Sequence, residues 1–480
     1  MKLMFEKSVA GRGTHYLPAL DVQEPEDLDP KFARQSDLDL PELSEVDVDR
    51  HYSELDRATF GVNNGIYMLG SCTMKYNPPV HELIVNRPEW AGLHPLQPED
   101  SAQGALEAIG TLEHYLAEIS GMNVVTFQPV AGAHGELVGL LTIRAYLESK
   151  GEGDRKVIFV PDAAHGTNPA SASMAGFEIK AIPVFEDGSI DLDKLKEVAG
   201  PDTAGLMLTN PNTEGHFETG IREVCDIIHE AGGCCYYDGA NLNAVMGVVR
   251  PGDMGFDLIH FNLHKTFSTP HGGGGPGACA VGAKEFLEEF LPGERAVKNG
   301  DTWEWETPAH SIGRVSTFHG NFLVMLRALS YVLTLGADGI RYTAQNAVLN
   351  ANYMMFALKD LFPMASPDRC MHEFVASASK LKKETGVTAM DISKALLDYG
   401  VHPPTMYFPL TIPEALMVEP TETEPKETLD YAIKAFREIV ELAHTDPEKV
   451  IGAPYTTPIA RPDDVEAARH PILKYVPEEA

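Results

Sequence analysis

The chain has 480 residues, 44% of them hydrophobic, and a formal net charge of −32. That length buries more than one core, so a large and a smaller domain are expected, and the apolar content excludes wholesale disorder. The acidity argues against nucleic acid, because a phosphate backbone needs a basic surface.

No apolar run approaches the roughly 18 residues that span a bilayer. The start Met1-Lys2-Leu3-Met4-Phe5-Glu6 has no signal-peptide core. The expectation is a cytoplasmic protein with no membrane partner. The six cysteines form no C-x-x-C pair and no zinc spacing, and are read as reduced. Much of the acid falls between Asp21 and Glu54, in a polar, Pro-rich stretch. Residues 1–60 are read as an extended arm with one short helix at most.

The large domain is expected over 61–320. From about residue 104 the texture becomes alternating helix and strand. Gly104–Ser120 reads as a helix ended by Gly121, Val124–Phe127 as a strand, and Gly135–Lys150 as a helix closed by Gly151. Short apolar runs follow at Val157–Val160, Lys180–Phe185, Ala204–Leu208, Cys234–Tyr237, Leu258–Phe261 and Ala278–Val281, with helices at Asp191–Val198 and Ile221–Ala231 between them. Strands separated by helices predict a parallel or mostly parallel sheet. Over 321–480 the chain predicts a smaller α+β domain. It has helices at Asn321–Leu335, Ala344–Leu361, Ala389–Tyr399 and Lys426–His444, and strands at Phe374–Ala378, Met406–Leu410 and Ala415–Val418. Thr388 and Asp391 have the spacing of a capping box.

In such a sheet, ligands sit at the carboxyl ends of the strands. One strand ends in Asp238-Gly239-Ala240-Asn241 and another in Asn262-Leu263-His264-Lys265-Thr266. Taken alone, Lys265 is an ordinary surface lysine and Asp238 a helix cap. Together, 27 positions apart at two strand ends, they are what pyridoxal 5′-phosphate (PLP) requires. The amine condenses with the aldehyde, and the carboxylate keeps the pyridine nitrogen protonated so that the ring accepts electrons.

The phosphate needs backbone donors at a helix start. Ala131, Gly132 and Ala133 are small residues joining a strand to a helix. His134 at that turn either stacks on the ring or simply packs and caps. Asn210 either donates to the cofactor's phenolic oxygen or forms an Asn-Pro turn with Pro211. The loop His165-Gly166-Thr167-Asn168-Pro169 reads as a polar wall. The glycine run after His271 lacks the P-loop pattern, so it is either a close backbone approach or a flexible loop. Cys72 has no base that spacing assigns to it.

These segments together resemble the P-protein (glycine dehydrogenase, decarboxylating) of the glycine cleavage system. The matching stretches include LGSCTMKYNP at 69–78, AGAHGE at 131–136, AHGTNPASASMAGF at 164–177, LTNPNT at 208–213, YDGANLNA at 237–244 and NLHKTFSTPHGGGGPG at 262–277. HEF at 372–374, LKKETG at 381–386, HPPTMYFP at 402–409 and LMVEPTE at 416–422 match as well. At His134 the chain departs from the family's common Gln.

The resemblance implies a type I PLP fold: a large domain on a mostly parallel, seven-stranded type of sheet, plus a smaller α+β C-terminal domain. It implies the PLP-carrying second subunit of a split enzyme, partnered with P-protein subunit 1 in an α2β2 heterotetramer. It places the Schiff base on Lys265 and the ring-nitrogen contact on Asp238. The implied reaction is decarboxylation of glycine and transfer of the aminomethyl group to the lipoyl group of H-protein. His264, His165 and Thr266 are the candidates for handling protons or the carboxylate. The rival within this fold, an aminotransferase, would grip the α-carboxylate with an arginine. Arg341, Arg369, Arg437 and Arg461 stand in no telling context.

Overall fold

The computed structural model describes residues 2–13, 18–19, 21–23, 29–36, 38–161, 167–185, 189–271 and 277–476. By contacts the chain forms two units, Val62–Tyr455 and a second comprising Met1–Gly61 with Thr456–Ala480. Residues 456–480 therefore group with the arm rather than with the helices before them.

In the larger unit, seven strands make one sheet: β1 Val124–Thr126, β2 Val157–Pro161, β3 Glu178–Ile182, β4 Thr203–Leu208, β5 Cys234–Gly239, β6 Leu258–Asn262 and β7 Cys279–Ala283. Their order across the sheet is β1-β7-β6-β5-β4-β2-β3. β7 runs antiparallel to both its neighbours, and the remaining pairs are parallel. β4, β5, β6 and β7 are buried along their full length. This is why they read as continuous apolar runs rather than as alternation. Core packs on both faces. One face carries Phe159, Leu206, Tyr237, Ile259 and Phe261, and the other Ile158, Val160, Met207, Tyr236 and Val281.

The sequence missed the hairpin β8 Arg295–Asn299 with β9 Thr302–Glu306, half-exposed and strongly polar, where hydrophobic alternation is weak. The two helices expected between 321 and 361 fill Phe322–Leu358 and part at Gly336, where φ is 60°, one residue past the expected end at Leu335. Only glycine takes that conformation without strain. The stretch's length and composition match a membrane span. Its side chains, however, enter two cores: Phe322, Met325, Leu329 and Ile340 join the sheet core, while Ala351, Met354, Met355 and Leu358 join a second one.

That second core lies under a three-stranded antiparallel sheet, β10 Phe374–Ser377, β12 Ala415–Val418 and β11 Thr405–Met406 in that order. Of the expected strand Met406–Leu410 only Met406 is extended, paired together with Thr405 in β11. The capping box at Thr388 is formed, with Asp391 N–H on Thr388 Oγ1 at 3.2 Å and Thr388 N–H on Asp391 Oδ2 at 2.8 Å.

The terminal unit holds a longer helix than expected, Glu45–Ala58, started by a second capping box at Ser44 and Asp47. Within it, Phe5 stacks on Tyr475 with ring centroids 4.7 Å apart.

Candidate active site

The β5 and β6 ends lie side by side, with Asp238 opposite His260 in register. Past the end of β6 the chain turns tightly, Lys265 N–H bonding to Asn262 O at 3.0 Å. This aims the Lys265 side chain back into the molecule, where it is 8% exposed. Its Nζ donates to Ser71 O at 2.7 Å and stands 3.4 Å from Asn241 Oδ1. Ser71 has φ 63°, in the left-handed region that costs a serine backbone strain. It is held there from its other side by Glu373, whose Oε2 accepts the Ser71 N–H at 2.7 Å.

Asp238 is 2% exposed. Its Oδ1 accepts the Ala240 N–H at 3.0 Å and lies 3.4 Å from His260 Nε2. Thr266 is engaged on every side. Its hydroxyl donates to Asn243 Oδ1 at 2.5 Å and accepts the Leu242 N–H at 2.9 Å, and its carbonyl accepts Lys75 Nζ at 2.5 Å. Lys75 is itself buried against Glu422 at 2.6 Å and Tyr331 OH at 3.0 Å. This buried pair clamps the loop that carries Lys265.

The helix Gly132–Ser149 begins at Ala131 with no side-chain cap, leaving its first amides free for an anion. A Cβ on Gly132 would fall 2.6 Å from Asn262 Oδ1, so only glycine lets this turn close on the end of β6. That Asn262 oxygen is buried and has no partner among the described residues. His134 turns back on the chain before its own helix, where its Nδ1 accepts the Val130 N–H at 3.4 Å. Burial holds its pKa below the ordinary histidine value.

Asn210 adopts the turn role. Its amide bonds both ways to the Glu218 backbone, at 2.9 and 3.3 Å. His264 meets Ala278 O through Nδ1 at 3.0 Å and packs edge-on to His271 at 4.7 Å. Burial pushes its pKa down to about 4, so it is neutral at physiological pH and a poor proton donor. His165 and the glycine run 272–276 lie outside the described residues.

Motif reading missed a second group around Lys265. His372, Glu373 and Glu419 are buried with their ligand atoms within 4.8 Å of one another. Glu419 accepts from Thr73 at 2.6 Å and from Asn243 at 2.8 Å. Asn241 Nδ2 reaches His372 Nε2 at 3.2 Å. Burial raises Glu373 to about 7 and Glu419 well above the carboxylate range. Burial lowers His372 to about 3. Cys72 Sγ lies 3.7 Å from His271 Nε2, its thiol pushed up by burial.

A mostly parallel seven-stranded sheet with a buried lysine and a carboxylate at adjacent strand ends is the type I fold of the PLP-dependent enzymes. Residues 25–302 match the family model of the glycine cleavage system P-protein, and 343–450 that of the glycine dehydrogenase C-terminal domain. The chain belongs to the glycine cleavage system P-protein family. It is 54% identical over 476 residues to a probable glycine dehydrogenase (decarboxylating) subunit 2 of Treponema denticola, covering 99% of this chain and 98% of that one. It is 52% identical to a protein of the same description in Kosmotoga olearia, covering 99% of each. Its fold matches a crystal structure of glycine decarboxylase (P-protein) of the glycine cleavage system in inhibitor-bound form. There the TM-score is 0.71 at 21% identity, over 85% of this chain and 93% of that one. A NifS-like protein matches at 0.61 and 15% identity, over 79% and 100%.

Proposed function

We propose that this chain is the PLP-carrying second subunit of a two-subunit glycine dehydrogenase (decarboxylating), acting in the cytoplasm with P-protein subunit 1 as an α2β2 assembly. The observation that carries the reading is the buried Lys265 amine between Ser71 O and Asn241 Oδ1, one strand away from Asp238. The donor set fits PLP: an amine for the aldehyde, a carboxylate for the ring nitrogen, and an uncapped helix start for the phosphate. Lys265 would hold the cofactor covalently and Asp238 its ring proton. The amides after Ala131 would hold its phosphate, and His134 would flank the ring. Bound there, PLP supplies an electron sink for the pair left behind when CO2 departs.

The chain's own groups favour carboxylate loss over carboxylate grip. Among the described residues, no arginine hydrogen-bonds to Ser71, Thr73, Asn241, Asn243, Glu373 or Glu419. Arg437, one of the candidates for an aminotransferase role, is paired with Asp360 on an exposed face. Neutral His264 and fully bonded Thr266 are suited to shaping the site, which leaves proton traffic to Lys265 and the carboxyls. The acceptor of the aminomethyl group is the lipoyl arm of H-protein. Six free cysteines accord with a reducing compartment.

The test is exchange of glycine's carboxylate with labelled bicarbonate, using this chain, PLP, subunit 1 and lipoylated H-protein. Exchange that requires glycine and Lys265 is expected. A bound chromophore with no exchange would overturn the substrate while retaining the cofactor.

A further inference from the structure

The carboxyl assigned to the ring nitrogen does not stand alone. Glu136, Asp238 and His260 are all buried, and their ligand atoms lie within 4.8 Å of one another. Two carboxylate anions this close, away from water, repel strongly enough that one proton stays on the pair.

The hydrogen bonds say which carboxyl keeps it. Asp238 Oδ1 faces the Ala240 amide at 3.0 Å and His260 Nε2 at 3.4 Å. That oxygen accepts, so a proton on Asp238 would have to sit on Oδ2, which finds no hydrogen-bond acceptor among the described residues. His260 lies against the pair as well, with its Nε2 3.4 Å from the same oxygen and its Nδ1 2.8 Å from Tyr236 OH. Glu136 is surrounded differently. Its Oε1 meets Thr167 Oγ1 at 2.8 Å and its Oε2 meets Ser171 Oγ at 3.0 Å. A hydroxyl can donate or accept, so either protonation state of Glu136 keeps its partners.

We propose that Glu136 and Asp238 act as one carboxyl pair carrying a single proton, held on Glu136, and a single negative charge, held on Asp238. Glu136 is then a positioning residue: it limits the charge presented to the cofactor's ring nitrogen to one. This deepens the proposed function and rests on its placing of the ring nitrogen at Asp238.

The surroundings agree. The titratable groups facing Glu136 are Asp238 and Tyr236 on β5, His260 on β6, Cys279 on β7, and Lys265 beyond β6. Burial pushes the phenol and the thiol upward, so both are neutral. Burial first, then the charge of Asp238, raises Glu136 to about 8, with Lys265 as the one cation opposing them.

Infrared difference spectra of the apoprotein, titrated from neutral to alkaline pH, test this without any cofactor. The wild type is expected to lose a protonated-carboxyl C=O band with a midpoint near 8, and Glu136→Gln to lack that component. Glu373 and Glu419 titrate in both proteins and cancel in the comparison. Ser171→Ala, which removes one stabilising hydroxyl from the anion, should move the midpoint upward. If the band is the same in wild type and Glu136→Gln, or if Ser171→Ala leaves it in place, the inference is overturned. A second arm follows the visible absorbance of the PLP-loaded protein. An alkaline transition in wild type should be absent in Glu136→Gln, and its persistence there would also overturn the inference. Lys265→Ala, scored only for loss of the chromophore, tests the cofactor reading separately.

Discussion

Two buried carboxyl groupings meet Lys265, and they are assembled in opposite ways. Glu136 and Asp238 come from the start of a helix and the end of a strand in one sheet, and their partners lie on neighbouring strands and the next helix. Glu373 and Glu419 reach the same lysine from the smaller sheet. Their partners Ser71 and Thr73 lie 302 and 346 residues away in sequence. The first grouping has hydroxyls that tolerate a proton on Glu136. In the second, Glu373 takes a backbone N–H and Glu419 takes Asn243 Nδ2, donors that favour the anion, while burial opposes it in both and the charge of Glu373 opposes it further at Glu419. The same residue types therefore hold charge differently, because the chemistry of their partners differs.

Removing the shared cation breaks both halves of the comparison at once. Lys265→Met should abolish the chromophore and bring carboxylate exchange to background, measured with labelled bicarbonate. Breaking the first grouping alone comes next. Asp238→Asn keeps the shape but removes the charge, and exchange should fall roughly 10²–10³-fold while the lysine linkage still forms, as absorbance would report.

Breaking the second grouping should register mainly in stability. Glu419→Ala leaves the Thr73 and Asn243 donors buried without an acceptor, at a cost of about 1–3 kcal/mol per unsatisfied group, read by urea denaturation. A loss well under 1 kcal/mol would mean that water replaces the carboxyl, and the contrast would weaken.

The smallest effect is one of slope. Glu373 is raised from 4.5 to about 7 in the fold. Between those values the folded chain binds more protons than the unfolded one, so stability falls as pH rises through the window. Glu373→Gln should flatten that part of the curve of midpoint against pH, and an unchanged slope would remove Glu373 from the account.

Much of the first grouping was legible beforehand. Asp238 and Lys265 end apolar strands, and a strand end is a local event: the run stops, polar residues follow, and the chemistry sits there. The small residues at 131–133 were legible for the same reason. Glu136 lay inside a quoted motif but had no role, because its meaning depends on Asp238 and on Thr167 and Ser171 of another helix. Asn210 and His134 show the limit of such reading. Each was open between a ligand role and a backbone role, and the geometry engages each with backbone, Glu218 and Val130 respectively.

The sequence by itself determined most elements of the seven-stranded sheet, the strand-end positions of Asp238 and Lys265 and the family, because propensity, capping and hydrophobic period act over a few residues. Tertiary structure alone decided the strand order, the antiparallel course of β7 in the seven-stranded sheet, the sharing of Phe322–Leu358 between two cores, and the meeting of Ser71, Glu373 and Glu419 at Lys265. Contacts across hundreds of residues leave no periodic trace in a single chain. They exist only once burial has brought the segments together, and the same burial gives those carboxyls their altered affinity for protons.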